Sequence, residues 1–228
     1  MKENGDGNGW KLPNGRHRLP REVVVAHQRS RLLSATAEAV TEHGYAALAV
    51  RHVIEGAGVS RATFYQQFDD LQDCIVAAYG AASERLIRDI SDACASQHSW
   101  PDGVVAAVDA GLEFTVTAPA QARLLLTGVN APDRHLARCA LTVRDRLVGL
   151  LRAGRELDPE ASAPPDVVEE ALIGGAISVI GALLIADRLD RLRQLKPELV
   201  QLLLTPYLGN MEASRIAGAV PGRVGRNG

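Results

Sequence analysis

Apolar side chains recur along most of this chain with the spacing of an α helix. Between residues 22 and 43, the apolar positions that repeat in this way are Val25, Leu32, Ala35, Ala39 and Val40. This spacing places them on one face of a helix. Gly44 follows, where a left-handed residue commonly ends a helix. Since no window shows the alternation typical of a β strand, the pattern predicts an all-α fold of about nine helices.

Glycines, prolines and polar capping residues set the limits of the other helices. The helices predicted in this way cover residues 50–57, 61–68, 70 to beyond 90, 101–117, 121–126, 133–157, 166–190 and 198–208. The two ends of the chain lack helical periodicity and are rich in glycine. We therefore expect four parts, namely a flexible arm (1–20), a three-helix helix-turn-helix domain (21–68), a helical-bundle regulatory and dimerisation domain (69–213) and a disordered tail (214–228).

Composition argues against several other classes of protein. The first twenty residues are polar rather than signal-like, and the longest uncharged run, residues 171–186, is shorter than the roughly 20 apolar residues that cross a bilayer. A buried helix is the better interpretation of that run, and we expect a cytoplasmic location. The three cysteines are widely spaced and include no C-x-x-C pair, so they indicate neither a disulfide framework nor a zinc site. We expect structural thiols, no metal and no cofactor.

The net charge of −2 is unevenly distributed. From Lys11 to Phe68 there are eight Lys and Arg residues against four acids, a local charge of +4, which leaves −6 for the remainder. A basic N-terminal third on an acidic body is the asymmetry expected when only that third meets the phosphates of a nucleic acid. Double-stranded DNA is therefore the first partner to consider.

The segment around Gly58 has the pattern of a helix-turn-helix. A steep crossing of two short helices needs a turn residue with positive φ, which glycine adopts at little cost, and Gly58 provides it. Ser60 is a suitable N-cap for the second helix, in which Phe64 and Phe68 should be buried together because they lie four residues apart. The opposite face then presents Arg61, Ala62, Thr63, Tyr65, Gln66 and Gln67. Side chains of these types suit base edges and phosphates.

These residues make the sequence resemble the TetR family of bacterial regulators. The resembling segments are Leu32-Leu33-Ser34-Ala35, Glu42-His43-Gly44-Tyr45, Ala57-Gly58-Val59-Ser60-Arg61-Ala62-Thr63-Phe64-Tyr65-Gln66-Gln67-Phe68 and Asp73-Cys74. They lie between residues 29 and 79, about a fifth of the chain. The Gly-Val-Ser turn followed by Thr-Phe-Tyr is a specific motif. Residues 204–209 also look like the end of the last helix in many members.

The resemblance implies DNA contacts at seven positions. These are Arg51, Ser60, Arg61, Thr63, Tyr65, Gln66 and Gln67. By the family pattern, Tyr65 and Arg51 would touch phosphates, and the others would lie at or beside the groove. The arm could add minor-groove or backbone contacts through Arg16, Arg18 and Arg21. A single arginine of this kind is more often solvated surface, so the expectation depends on the whole group around Gly58.

Four positions depart from the family pattern. Ala49 replaces the usual Ser or Thr cap of the second helix, a loss worth about 0.5–2 kcal/mol. Ile54 stands where a small residue normally eases the helix crossing, and Gln67 replaces a frequent histidine. Leu71 replaces a common lysine, and each such lost cation flattens the salt dependence of DNA binding by about 0.9. We therefore expect weaker DNA binding or an unusual operator.

The resemblance also implies that helices five to eight enclose an effector pocket and that the last two helices pair across a twofold axis. The candidate effector-binding residues are Val108, Leu112, Glu113, Arg123, Leu124, Asn130, Val143 and Leu147. The candidate dimer-interface residues are Leu172, Ala176, Val179, Leu183, Leu199, Leu202, Leu203 and Tyr207. A monomer's core could also use the apolar members, and the polar ones could be surface. Because aromatic residues are sparse, an aliphatic ligand is favoured over a planar one.

Three hypotheses differ in what the helical body does. The first is a dimeric repressor that binds a palindromic operator and is released by a small lipophilic effector, although activators share this fold. The alternative is an architectural or protein-partner DNA-binding module without an effector. An enzyme is not indicated, because the sequence contains no recognisable triad, phosphate-binding loop or H-E-x-x-H motif. Glu169 and Glu170 are adjacent and so diverge on a helix, which is poor geometry for acid–base chemistry.

Overall fold

The computed structural model describes residues 20–129, 133–156 and 164–219, and all regular structure in these ranges is helical. A 3₁₀ turn at Tyr45–Ala47 accompanies ten α helices. They are α1 (Arg21–His43), α2 (Val50–Ala57), α3 (Arg61–Tyr65), α4 (Leu71–Ala95), α5 (Trp100–Thr117), α6 (Pro119–Val129), α7 (Arg134–Glu156), α8 (Asp166–Ile185), α9 (Leu189–Gln194) and α10 (Lys196–Ala219). The predicted all-α class is confirmed. The predicted arm, apart from residue 20, lies outside the described residues.

The segment predicted as one helix over residues 166–190 is two helices. Helix α8 ends at Ile185, and Asp187 adopts a positive φ of 55° before α9 begins. Arg123 stabilises this break, because its guanidinium donates to the Leu184 carbonyl (3.2 Å) and to the Asp187 carboxylate (3.0 Å). Asp is one of the few residue types that tolerate the left-handed region. The break therefore depends on a tertiary contact that local sequence does not reveal.

The tail predicted from residue 214 is wrong for residues 214–219. Helix α10 is interrupted at Gly209 (φ 75°, ψ 164°), near the predicted end of the last helix, and then continues to Ala219. Its second part is held in place because Ala213 and Ala217 are buried. Gln201 also donates from its amide to the Ser214 hydroxyl (2.8 Å). Small apolar residues gave no strong periodic signal there. Residues 220–228 of the predicted tail lie outside the described part.

The N-terminal helices do not form a core of their own. Leu32, Val53 and Phe64 of α1 to α3 belong to the same buried cluster as Leu124 of α6 and Leu136 of α7. A second cluster joins α5, α7, α8, α9 and α10. Helix α4 is the shared element, since it packs against α1, α5, α6 and α7. The sequence boundary at residue 68 therefore separates two functions but cuts through one hydrophobic core.

A buried carboxylate fixes three helices of the second cluster. Glu169 on α8 is fully buried, and it accepts hydrogen bonds from Arg152 Nε on α7 (2.8 Å) and from the Tyr207 hydroxyl on α10 (3.2 Å). Removing either of these partners would destabilise the packing of the three helices, because a buried carboxylate must keep its hydrogen bonds. Glu170 is exposed, so the two adjacent glutamates diverge as expected. Glu169 thus has a structural role.

Helix α8 is the only described helix that could cross a membrane on its own by length and composition, with a mean hydropathy of 1.9. Helices α5 and α6 pass the same test only as a pair bent by 106°. One such helix is weak evidence for a membrane protein, because core helices have the same composition. Helix α8 packs against α6, α7, α9 and α10, although only 28% of its apolar window is buried within the chain.

The contact between α6 and α4 is testable at Gly128. A Cβ atom at this position would lie 2.5 Å from Cε2 and 2.9 Å from Cζ of the buried Tyr79 ring. We expect Gly128→Ala to lower the free energy of unfolding by about 1–3 kcal/mol, the usual cost of overpacking. Urea denaturation followed by circular dichroism measures it.

The matched control is Gly80→Ala in the middle of α4, where an added Cβ meets nothing within 4 Å. This substitution should raise the free energy of unfolding by about 0.5–1 kcal/mol, because alanine favours a helix. Equal effects of the two substitutions would contradict the close α4–α6 contact.

Candidate DNA-binding surface and central cavity

The turn between α2 and α3 has the predicted left-handed glycine. Gly58 adopts φ 58° and ψ 43°, and its N–H donates to the Glu55 carbonyl (3.1 Å). The N–H of Val59 donates to the Ile54 carbonyl (3.1 Å), which closes the end of α2. The left-handed backbone is the reason that glycine is needed here, since the Arg31 guanidinium near this position can move. This turn fixes the direction in which α3 leaves α2.

Helix α3 begins with the predicted serine cap. Ser60 Oγ accepts from the backbone N–H of Thr63 (3.0 Å) and lies 2.9 Å from the Thr63 hydroxyl. The cap satisfies one of the N–H groups left free at a helix start. Ser60 is exposed, so its position is compatible with a DNA contact. In the structure, Ser60 caps the start of the helix.

The inner face of α3 is anchored by aromatic rings. Phe64 is fully buried, Phe68 is nearly so, and their ring centroids lie 5.7 Å apart. Val53 of α2 is buried in the same cluster. This confirms the predicted inner face. Since α3 has only five residues, this packing supplies the order that the helix could not have alone.

The outer face of α3 carries the side chains predicted to meet DNA. Tyr65 is 48% exposed although it is a large aromatic residue, and the Arg61 guanidinium carbon lies 5.7 Å from its ring centroid. Gln66 is exposed, while Gln67 is half-buried at the end of the helix. The other predicted contacts are an exposed Arg51 on α2, the exposed N-cap Ser60 and a half-buried Thr63 on α3. Six of the seven predicted residues thus lie on α3 or directly next to it, and Arg51 lies on the preceding helix.

Two arginines of α1 hold α3 in place, a role that the sequence did not indicate. Arg29 Nη1 donates to the Gln67 carbonyl (3.1 Å), and the Arg29 guanidinium carbon lies 4.4 Å from the Phe68 ring centroid. Arg31 Nη2 donates to the Gly58 carbonyl (3.4 Å). Both residues contribute to the N-terminal positive charge, yet their guanidinium groups point at protein carbonyls. The only hint of this role in the sequence is that the two arginines lie two residues apart on the helix before the motif.

The departures from the family pattern are accommodated locally. Ala49 has no side-chain acceptor, but its own N–H donates to His52 Nδ1 (3.3 Å), which is half of the reciprocal arrangement of a capping box. The His52 ring also packs on His43, with centroids 3.9 Å apart. Ile54 and Leu71 are partly buried against the N-terminal cluster. The missing cap is thus partly replaced, and Leu71 supports the core.

A large apolar cavity lies in the C-terminal part. Its volume is about 1360 Å³, and α4 to α8 together with α10 line it. This volume exceeds the range of about 300–1,000 Å³ common for small-molecule sites. Residues that represent its walls are Ile90, Val104, Leu125, Leu147, Ile177 and Leu203. Ile185 lines the cavity while being 79% exposed, so the cavity reaches the surface beside α8.

Three of the predicted effector residues line this cavity, namely Val108, Val143 and Leu147. The other described candidates do not line it. Leu112 and Leu124 are buried in the two hydrophobic clusters. Glu113 lies 3.7 Å from Arg193, and Arg123 holds the α8–α9 break. Helical periodicity identifies inward-facing residues but does not separate a core from a cavity wall. Asn130 lies outside the described residues.

Four residues of the predicted dimer interface, Leu172, Leu199, Leu203 and Tyr207, are buried within the chain itself and so present little surface to a second chain. Leu199, Leu203 and Ala176 also line the cavity, and Leu183 is partly buried against the second cluster. Val179 and Leu202 are exposed. Most of the apolar positions of α8 and α10 that were predicted to pair two chains therefore build the core or the cavity wall of a single chain. Ile185 and Met211, which the sequence did not single out, are 79% and 87% exposed.

Comparison with known proteins identifies the fold and matches one segment of the chain to a family model. Residues 32–78 match the family model described as bacterial regulatory proteins, tetR family. No curated protein matches the chain. Among solved structures, FadR of Bacillus halodurans, a fatty acid degradation regulator, has a TM-score of 0.67 and 19% identity, with 77% of this chain and 97% of that chain covered.

Two further solved structures contain ligands. FadR of Bacillus subtilis in complex with stearoyl-CoA has a TM-score of 0.68 and 14% identity, covering 78% of this chain and 98% of that one. RolR in complex with resorcinol has a TM-score of 0.56 and 18% identity, covering 88% and 97%. At these identities the likeness shows the fold alone. The fold is thus the one seen in these regulators.

Because His52 accepts a hydrogen bond at the start of α2 and can be protonated, we predict that the stability of the protein depends on pH. Burial lowers the pKa of His52 from 6.5, and the nearby His43 and Arg51 lower it further. The folded protein therefore holds His52 less protonated than the unfolded chain does. This contribution to stability is complete above pH 6.5 and is lost as the pH falls below it. The urea concentration at the midpoint of unfolding should therefore decrease when the pH is lowered from 8 to 5.5.

The matched variant is His52→Gln, which keeps an acceptor at the capping-box position but does not titrate. Its midpoint should change less over this range than that of the wild type. All other histidines are present in both proteins, so the difference isolates His52. Superimposable pH profiles would contradict a lowered pKa of His52 in the folded protein.

Proposed function

We propose that the chain is a cytoplasmic transcriptional repressor and that residues 32–78, which match the tetR family model, form its DNA-binding domain. It binds a palindromic operator as a homodimer and is released by a small lipophilic effector. The observation that carries the proposal is the construction of α3. Its phenylalanines are buried, whereas Arg61, Tyr65 and Gln66 are exposed.

DNA recognition by this surface involves two kinds of contact. Gln66 and Gln67 have amides that can pair with base edges, and Arg61 can pair with a guanine. Arg51 and Tyr65 approach the phosphates and set the position of the helix on the duplex. Two copies of α3 about 34 Å apart would meet successive major grooves on one side of the DNA. This requirement supports a dimer with a twofold axis.

Exposed apolar side chains near the C-terminal end support pairing of two chains. Val179 and Ile185 on α8 and Leu202 and Met211 on α10 are large, apolar and exposed in the single chain. Isolated apolar residues are common on surfaces, but contiguous patches mark interaction sites. Pairing through α8 and α10 would cover them. The interface then uses different side chains of the same two helices from most of those predicted from the sequence.

The cavity supports an effector with a saturated chain. Its lining is mainly Ala, Val, Leu and Ile, with three aromatic residues, Tyr79, Trp100 and Phe114. The similar structure from Bacillus subtilis is a complex with stearoyl-CoA, which has a long saturated chain, so the same general fold accommodates such a molecule. A DNA-binding module without an effector would have no use for an apolar space of about 1360 Å³. Coupling of about 1–3 kcal/mol between effector and DNA would suffice for release.

The DNA-binding surface is tested with an operator selected from random duplexes by the full chain. Arg51→Gln should weaken binding at all sequences and flatten the slope of log K against log salt by about 0.9, because one phosphate contact is lost. Filter binding over a range of salt concentrations measures the slope. Arg88→Gln removes an exposed charge on α4 outside this surface and should leave it unchanged. A wild-type slope for Arg51→Gln would contradict the assignment.

The cavity is tested by filling it. Ala107 on α5 lines it, and Ala107→Phe should reduce the thermal stabilisation by aliphatic alcohols and methyl esters, most of all for the longest of eight to sixteen carbons, while leaving operator affinity unchanged. For the wild type, a hundredfold excess over Kd should add about 2.7 kcal/mol of stability. Ala81→Phe adds the same ring at an exposed site outside the cavity. No shift of the wild type with any of these compounds would favour the effector-free module.

A further inference from the structure

One charged side chain stands in the wall of the apolar cavity. Arg144 of α7 is the only Asp, Glu, Lys or Arg among the described residues that line it. Charged groups are rarely placed against apolar space without a partner, because the charged form loses its hydration. The contacts of Arg144 therefore show what chemistry it can still offer to a bound molecule.

The charge of Arg144 is already balanced. Its Nη2 atom lies 3.5 Å from Asp145 Oδ1 and 3.9 Å from Glu170 Oε2. Both carboxylates are more than half exposed and remain at the surface side of the guanidinium. An anionic headgroup brought to Arg144 would meet two negative charges for one positive charge. Electrostatics at this position therefore disfavour an anion.

One buried hydrogen-bond donor of Arg144 is left without a partner. The Nε atom of Arg144 is buried and has no hydrogen-bond partner, and it is the only such side-chain donor among the described cavity-lining residues. A buried donor without a partner is unfavourable, and an acceptor on a ligand would relieve it. Atoms of Ser91 and Thr115 that also line the cavity already donate to carbonyls of their own helices (2.7 and 2.8 Å).

We propose that the portion of the effector held in this cavity is an uncharged aliphatic chain whose carbonyl oxygen accepts from Arg144 Nε. The inference rests on the proposed function, since it names the ligand class of the same cavity. Ketones, esters and acyl thioesters share this chemistry. A free compound lies wholly in the cavity, whereas a thioester leaves its charged carrier outside the cavity.

The first test uses the wild-type full chain and ten-carbon probes in equilibrium dialysis at pH 7.5. The probes are 2-decanone, decanoate, 1-decene and decanoyl-CoA. We expect 2-decanone to bind about tenfold more tightly than 1-decene, because a hydrogen bond to a charged donor is gained, and more tightly than decanoate. Decanoyl-CoA binding at least as tightly as 2-decanone would identify a carrier-bound thioester, and weaker binding would identify a free compound.

The second test assigns the preference to Arg144. Arg144→Met keeps an apolar wall, and it should reduce the ratio of 2-decanone to 1-decene affinity to about one. The matched control, Arg146→Met, removes an exposed arginine of the same helix that does not line the cavity, and it should keep the ratio. The double variant Asp145→Asn with Glu170→Gln frees the charge of Arg144 and should shift the preference toward decanoate. Circular dichroism confirms that each variant is folded.

The outcomes separate this inference from the proposed function. Tighter binding of decanoate than of 2-decanone by the wild type, or an unchanged ratio in folded Arg144→Met, overturns the neutral carbonyl while leaving a lipophilic effector in place. Failure of all four probes to bind overturns the aliphatic effector and this inference together. Operator binding is measured in parallel, so loss of the DNA-binding proposal would be seen independently.

Discussion

The burial of Phe64 and Phe68 is the interaction on which the rest of the N-terminal structure depends. Helix α3 has five residues and cannot be stable by itself, so its position is set by these two rings and by the Gly58 turn. Arg29 completes the arrangement by donating to the Gln67 carbonyl and lying over the Phe68 ring. Only because the inner face is fixed in this way can the outer face present a defined pattern to a duplex.

Rules that apply to single turns of the chain correctly predicted the features that depend only on neighbouring residues. The left-handed residue at Gly58, the cap at Ser60 and the inward rings of α3 follow from steric and hydrogen-bonding needs of single turns, and the structure has all three. The α8–α9 break was not predictable, because it depends on Arg123, which is more than sixty positions away from Asp187. The cap of α2 by His52 was also missed, since histidine is not a usual capping residue.

The C-terminal half shows why apolar periodicity predicts elements better than it predicts roles. The same stripe of α8 and α10 could have faced a core, a cavity or a second chain, and the sequence offers no means of choosing. The structure places Leu172 and Tyr207 in the core, Leu203 in both the core and the cavity wall, and Leu202 at the surface. A cavity forms where side chains from several helices leave space unfilled, and no single residue in the sequence specifies this.

Tyr79 is shared by the N-terminal core and the cavity. Its ring belongs to the buried cluster that contains Phe64, and it also lines the cavity, with Gly128 in close contact. If the proposed effector displaces this ring, the close-packed cluster would carry the strain toward α3. Under that proposal, DNA bound at α3 would lower the affinity of the cavity for the effector by the same factor as the effector lowers the affinity for DNA.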